Sequence, residues 1–272
     1  MTVSRSVARH ARGGRSAPPI AAAPSSAAAC VAVSDTADVA PIGLKELTGG
    51  GPVMILAPHA DDESLGCGGL IAAARAQGVA VHVICMTDGA ASHPNSHAWG
   101  GGRLTERREA EMIRALAHLG CAPDSVRFLR HPDGWLGAQD GAAIGATLAD
   151  LCAQLRVRTL LASSGIDHHA DHKATAAIAA HMTRHHPELR HWAYPVWSRW
   201  DDAAYLQAHG RLRPRSFDTS DWQSAKRRAI DAHDSQLGRI VEDDPAGFAM
   251  PGAFVEFFAT APEIFFEVPS CP

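Results

Sequence analysis

In the stretch VMILAPHADDESLGCGG (53–69), the apolar run Val53, Met54, Ile55 and Leu56 gives way to His59, Asp61, Asp62 and Glu63. Titratable groups set this close at the end of a buried strand repel or desolvate one another unless a positive charge lies among them. A second polar cluster, DHHADH (167–172), ends another apolar run and places His169 and His172 three residues apart. Imidazole and carboxylate are standard ligands of a hydrolytic metal ion. His59 and Asp62, also three apart on a tight turn, supply one of each. A histidine of the second cluster supplies a third ligand. Two histidines and one carboxylate leave coordination positions open to water, as a catalytic site requires. One such cluster alone reads as a surface turn; two on one rim read as a site.

The clusters share a rim only if the chain folds as alternating strands and helices. VMILAPH is a short continuous apolar run of the kind found in strands buried on both faces. SLGCGGLIAAARAQG reads as a helix stopped by Gly78, and VAVHVICMTDG as a second strand. In LTERREAEMIRALAHLG, Met112, Leu116 and Leu119 recur at helical spacing and Gly120 ends the helix. SVRFLRHPDG is a third strand and its loop, AAIGATLADLCAQLR a helix, TLLASSGIDHHADH a fourth strand running into a polar loop, and KATAAIAAHMTRHH the next helix. RHWAYPVW is a fifth strand, and SDWQSAKRRAIDAHDSQL a late helix with Ser220 or Asp221 as its cap. This alternation predicts an α/β fold, Rossmann-like, with a mostly parallel sheet and helices on both faces. The active site falls at the carboxyl ends of the strands. HADDE, TDG, HPDG and DHHADH then lie on one rim.

Composition limits the alternatives. The chain has 272 residues, 46% of them hydrophobic, enough for a single large domain over residues 46–272. Its net charge of −4 argues against a general nucleic-acid partner, and no apolar run is long enough to cross a membrane. Six scattered cysteines without a C-x-x-C read as reduced, buried thiols of a cytoplasmic protein. Residues 1–45 are rich in Arg, Ala, Ser and Pro and read as a flexible extension. AAAC ending at Cys30 faintly resembles a lipoprotein cleavage site, but the preceding stretch is too weakly apolar for an export signal.

With these motifs in place, the chain resembles the PIG-L or LmbE-type zinc-dependent deacetylases, which remove acetyl from N-acetylglucosamine-containing molecules. The resemblance rests on APHADDESLGCGG and DHHADH, on TDG (87–89), Arg108-x-x-Glu111, PDG (132–134) and AHDSQ (232–236), in that family's order over residues 51–245. It implies one zinc per chain on His59, Asp62 and His172. It further implies Asp61 as general base, His169 as the residue that stabilises or protonates the tetrahedral intermediate, and Arg108 and Asp133 as sugar-holding residues. On that scheme a cationic His169 faces the oxyanion, Asp171 orients His169 or His172, and Glu63 supports the loop by accepting backbone N–H bonds. The family's proline after the first histidine, and again in the second cluster, is replaced by Ala60 and Ala170. Proline stiffens a turn but binds no metal.

Other classes fit less well. A non-haem Fe(II) oxygenase also uses two histidines and a carboxylate, but on an all-β frame. A two-metal phosphoesterase would show more ligands, and a non-catalytic sugar-binding protein would not need a base beside the metal. The glycines of ESLGCGG are explained by close strand–helix packing rather than phosphate binding, because Glu63 would repel an anion. RLRPRSF (211–217) reads as a solvated loop. Six of eight phenylalanines fall in residues 248–266. They are expected either in a final strand on the core or on a loop beside the rim, where they would meet an apolar aglycone such as that of an antibiotic intermediate.

Overall fold

The computed structural model describes residues 39–201, 208, 210 and 212–269. Of the extension expected over residues 1–45, residues 1–38 lie outside the described residues. Residues 39–45 do not belong with it: Val39, Ile42 and Leu44 are buried in the fold, so the packed domain begins before residue 46.

The sheet has seven strands in the order β3-β2-β1-β4-β5-β7-β6. They are β1 (Val53–Ala57), β2 (Val81–Thr87), β3 (Val126–His131), β4 (Thr159–Ser163), β5 (Arg190–Tyr194), β6 (Pro214–Phe217) and β7 (Glu263–Val268). The first five pair in parallel, while β7 runs antiparallel to both β5 and β6. The helices are α1 (Leu44–Thr48), α2 (Asp62–Ala76), α3 (Arg103–His118), α4 (Gly141–Leu155), α5 (Ala170–His185), α6 (Trp197–Asp201), α7 (Gln223–Asp231) and α8 (Gly252–Thr260).

Every residue of β1 is buried, as its unbroken apolar run requires. Val53, Ile55 and Ala57 point into a core shared with α2, α3, α7 and α8. Met54 and Leu56 point to the opposite face, against Leu148 of α4 and Ile178 and Met182 of α5. The strand order reverses between β1 and β4, so a crevice opens at their carboxyl ends. His59 follows β1 and His172 follows β4, which brings both to that crevice.

The glycines of α2 are required by close packing. A Cβ on Gly66 would stand 2.3 Å from the Tyr194 ring of β5, and one on Gly69 2.3 Å from Thr219. This helix is tied further by a buried ion pair. Lys226 Nζ lies 2.7 Å from Glu263 Oε1, and Glu263 accepts the N–H groups of Gly69 and Leu70 at 2.7 and 2.9 Å. The pair joins α2, α7 and β7.

Three local expectations are corrected. Residues 214–217 of RLRPRSF form β6 rather than a solvated loop; as the sheet's edge, this strand exposes enough surface to read as polar. The late helix is preceded by a 3₁₀ turn over Ser220–Trp222, and neither Ser220 nor Asp221 caps α7; Asp218 Oδ1 instead accepts the Ser220 N–H. The phenylalanine-rich segment is not one element: residues 248–251 are a loop carrying Phe248, and the rest is regular structure. That part forms α8 and β7, with Phe254, Phe258, Phe265 and Phe266 in the interior.

Candidate metal and catalytic site

Three side chains converge where β1 meets α2 and β4 meets α5. His59 Nδ1 and His172 Nε2 each lie 3.3 Å from the same atom, Asp62 Oδ2. The turn after β1 is held by the His59 N–H, which donates to Asp62 Oδ2 at 2.9 Å, and by Glu63. Glu63 is fully buried and accepts the Asp61 N–H at 3.1 Å and the Ser64 hydroxyl at 2.6 Å. His172 sits in the first turn of α5, its ring wholly buried.

The donor set fits a cation. His172 Nδ1 is paired with Asp167 Oδ2 at 2.9 Å, leaving Nε2 buried without a hydrogen-bond partner. A buried imidazole nitrogen is seldom left unsatisfied. Here it faces Asp62 Oδ2 and His59 Nδ1, the ligand types a zinc-like ion takes. The charges agree. Burial disfavours the ionised form of Asp62, but His172 and His59 outweigh it and hold the carboxyl well below its usual range. Burial likewise disfavours charge on His172, yet Asp62 and Asp167 raise it to about 9. Protons occupy, in effect, the positions a metal would neutralise.

Around this centre stand the remaining expected residues. Asp61 Oδ2 is 3.1 Å from Arg108 Nη2, and Arg108 also donates to the carbonyls of Gly89 and Ala60. Burial pushes Asp61 up to about 6, against the opposing pull of Arg108. Asp133 Oδ1 lies 3.2 Å from His59 Nε2, while its Oδ2 accepts the Ala91 N–H. His169 is the N-cap of α5, its Nδ1 accepting the Asp171 N–H at 3.2 Å, and its ring is 4.6 Å from that of His59.

Two expectations fail here. The Asp171 carboxylate pairs with His59, at 3.2 Å from Nε2, and Asp171 reaches His169 through its main-chain N–H alone. The carboxylate is fixed by the N–H groups of Gly134 and Leu136. The cation expected at His169 is disfavoured: burial, with His59 and His172 nearby, lowers it to about 3, and its Nδ1 accepts the Asp171 N–H, which puts the proton of the neutral ring on Nε2. The sequence reading also passed over Asp167, which orients His172 and is itself held by the N–H groups of Val196 and Ser198. Its place five residues before His172, at the start of DHHADH, was the available signal.

The pocket over this centre has a polar floor of His59, Asp61, Asp62, Asp133 and His169, with Arg108 at its edge. One wall is apolar: Leu65, Trp197, Phe248, Met250 and Phe254. Trp197 meets Phe248 edge-to-face at 5.7 Å and the tilted ring of Phe254 at 5.3 Å. The phenylalanine-rich segment therefore serves both expected roles, as core and as pocket wall.

A mostly parallel sheet with a His–Asp–His cluster at its switch point is an α/β frame with a candidate metal centre. Residues 54–183 match the model of the PIG-L family, described as GlcNAc-PI de-N-acetylase, so this part of the chain is of the PIG-L type and the enzyme class is that of a hydrolytic N-deacetylase. No curated protein matches the chain by sequence. Among solved structures, the N,N'-diacetylchitobiose deacetylase from Pyrococcus horikoshii is similar at 19% identity and a TM-score of 0.60, covering 84% of this chain and 88% of its own. The A40926 pseudoaglycone deacetylase is 21% identical with a TM-score of 0.59, covering 81% and 98%. A 4-carboxy-2-hydroxymuconate hydratase from Pseudomonas putida KT2440 is 17% identical with a TM-score of 0.60, covering 82% and 97%. At these identities the likeness shows the fold alone, and the hydratase demonstrates that the fold does not set the reaction. Among the described residues, no helix is long and apolar enough to cross a membrane.

Proposed function

We propose that the chain is a zinc-dependent deacetylase that releases acetate from an N-acetylglucosamine unit carried on a larger, partly apolar molecule, such as an antibiotic intermediate. The supporting observation is the convergence of His59 Nδ1, Asp62 Oδ2 and His172 Nε2, the last buried without a hydrogen-bond partner. One zinc ion per chain would be held by these three. When bound, such an ion lowers the pKa of water toward about 7 and polarises the amide carbonyl.

Asp61 takes the proton of the attacking water and returns it to the departing nitrogen, so that the C–N bond breaks to amine and acetate. Asp61 Oδ2 is engaged by Arg108, so Oδ1 is the basic atom, and burial, which raises the carboxyl in the metal-free site, makes it more basic than an exposed aspartate. His169 presents its Nε2–H to the carbonyl oxygen as that atom gains charge, a contribution of about 3–4 kcal/mol for a well-placed donor. Asp133 accepts a sugar hydroxyl and Arg108 closes that edge of the pocket. Glu63, Asp171 and Asp167 position the others. The apolar wall takes the aglycone.

The test is an amine-release screen of purified, metal-analysed protein against N-acetylglucosaminyl compounds with different aglycones. Burying about 100 Å² of apolar surface at ~25 cal/mol per Å² favours a hydrophobic conjugate over free N-acetylglucosamine more than tenfold in kcat/KM. Equal values would remove the aglycone from the proposal. Absence of amine from every compound would remove the deacetylation itself.

A further inference from the structure

Gln236 lines the pocket but takes no part in the chemistry above. It is almost wholly buried, and its amide is held in one orientation by a chain of hydrogen bonds. Arg107 Nε donates to Glu111 Oε1 at 2.7 Å. Glu111 also accepts the Ser235 N–H at 3.0 Å and, on Oε2, the Ser235 hydroxyl at 2.6 Å. With its proton given to Glu111, Ser235 Oγ can only accept from its other neighbour, Gln236 Nε2 at 3.0 Å. The second Nε2 hydrogen meets Ser92 Oγ at 3.3 Å, and the Ser92 hydroxyl in turn lies by the Gly89 carbonyl and His93 Nδ1. Both amide hydrogens are thus consumed, and a flipped amide would set its oxygen against two oxygens whose protons are committed elsewhere. Among the described residues, none donates to Gln236 Oε1.

We infer that Gln236 is a specificity-determining residue whose Oε1 accepts a hydrogen bond from a sugar hydroxyl of the substrate, and that Glu111 and Ser235 are the positioning residues that keep it turned to the pocket. A site built to accept from a hydroxyl discriminates against the analogue that lacks it, because the buried acceptor is then left unpaired. The inference rests on the acyl-sugar reading.

The experiment measures kcat/KM for acetate release, and affinity by calorimetry, with an N-acetylglucosaminyl glycoside and its 3-, 4- and 6-deoxy analogues. Wild-type protein, Gln236→Met and Gln236→Glu are compared. The wild type should lose about tenfold on one of the analogues. Gln236→Met should show no further loss on that analogue, and Gln236→Glu, whose second oxygen would meet the Ser235 and Ser92 oxygens that Nε2 now satisfies, should lose the discrimination as well. Gln236→Ala gives the same readout should the methionine variant fail to fold. A variant that is weaker on every glycoside but still discriminates as the wild type does would show a structural role only and overturn the inference. Acetate release by the wild type reports the deacetylase reading separately. Equal binding of all four glycosides by wild type and Gln236→Met overturns the role of Gln236 whether or not turnover occurs.

Discussion

His172 Nδ1 lies 2.9 Å from Asp167 Oδ2, and Asp167 is fixed in turn by the N–H groups of Val196 and Ser198. The loop after β5 therefore sets the ring angle of a residue on α5. Asp167→Asn should leave the three proposed ligands in place yet weaken zinc binding by about 10–100-fold, the usual effect of losing a carboxylate behind a ligating histidine. Competition with a chromogenic chelator measures it. His172→Ala should lose most of the metal and nearly all turnover; retention of stoichiometric zinc in that variant would refute the ligand assignment.

Metal uptake should be proton-linked. Without a metal, Asp62 and Asp167 raise His172 to about 9, and His59 is also raised by Asp133, Asp171 and Asp62, in each case against burial. Binding at pH 7 must displace those protons. Calorimetry in buffers of different ionisation heat should show about two released per zinc, and no release would contradict the charge pattern. The same shift predicts stability. A histidine raised from 6.5 to about 9 contributes fully below its ordinary value and loses that contribution as pH rises through about 9. The Tm of the metal-free protein should fall between pH 6.5 and 9, and zinc should reverse the fall.

Asp61→Asn should keep zinc and lower kcat by at least ~10². Near wild-type kcat at pH 7 would exclude Asp61 as the base. Arg108 opposes the upward push of burial on Asp61, so Arg108→Ala should move the acidic limb of the pH profile to higher pH.

Lys226 and Glu263 are fully buried. Lys226→Met leaves a carboxylate without its cation and should destabilise the fold by about 3–5 kcal/mol in urea denaturation. Adding Glu263→Gln should restore part of the loss. A single variant as stable as the wild type would show that the Gly69 and Leu70 N–H groups alone satisfy Glu263.

The rim was legible because β1, β2 and β4 are apolar runs ending in polar motifs, β3 leads into HPDG, and parallel strands place their carboxyl ends together. The fold's second half was less so. Strand β6 is an edge, and its pairing with β7 joins segments distant in sequence, so RLRPRSF carried no period that marked it. At the site, residue types pointed to His59, Asp62 and the 167–172 cluster. What sequence did not carry was direction. The turn of Asp171 toward His59 depends on the Gly134 and Leu136 N–H groups arriving from another loop. The neutrality of His169 depends on how deeply the fold buries it beside two other imidazoles. Gln236 was visible only as part of AHDSQ, because its orientation is written in Glu111 on α3.

The crevice between β1 and β4 has a topological consequence. His59 and Asp171 are 112 residues apart along the chain, and His172 follows at once. An ion shared by His59, Asp62 and His172 would be a cross-link closing that loop, much as a disulfide would. Closing a loop of about 100 residues removes roughly 4.7 kcal/mol of chain entropy from the unfolded ensemble in the simplest account. The ion would then act as a clasp between the two halves of the sheet, and withdrawing it should speed amide exchange first along the β1–β4 seam, well before the rest of the sheet loosens.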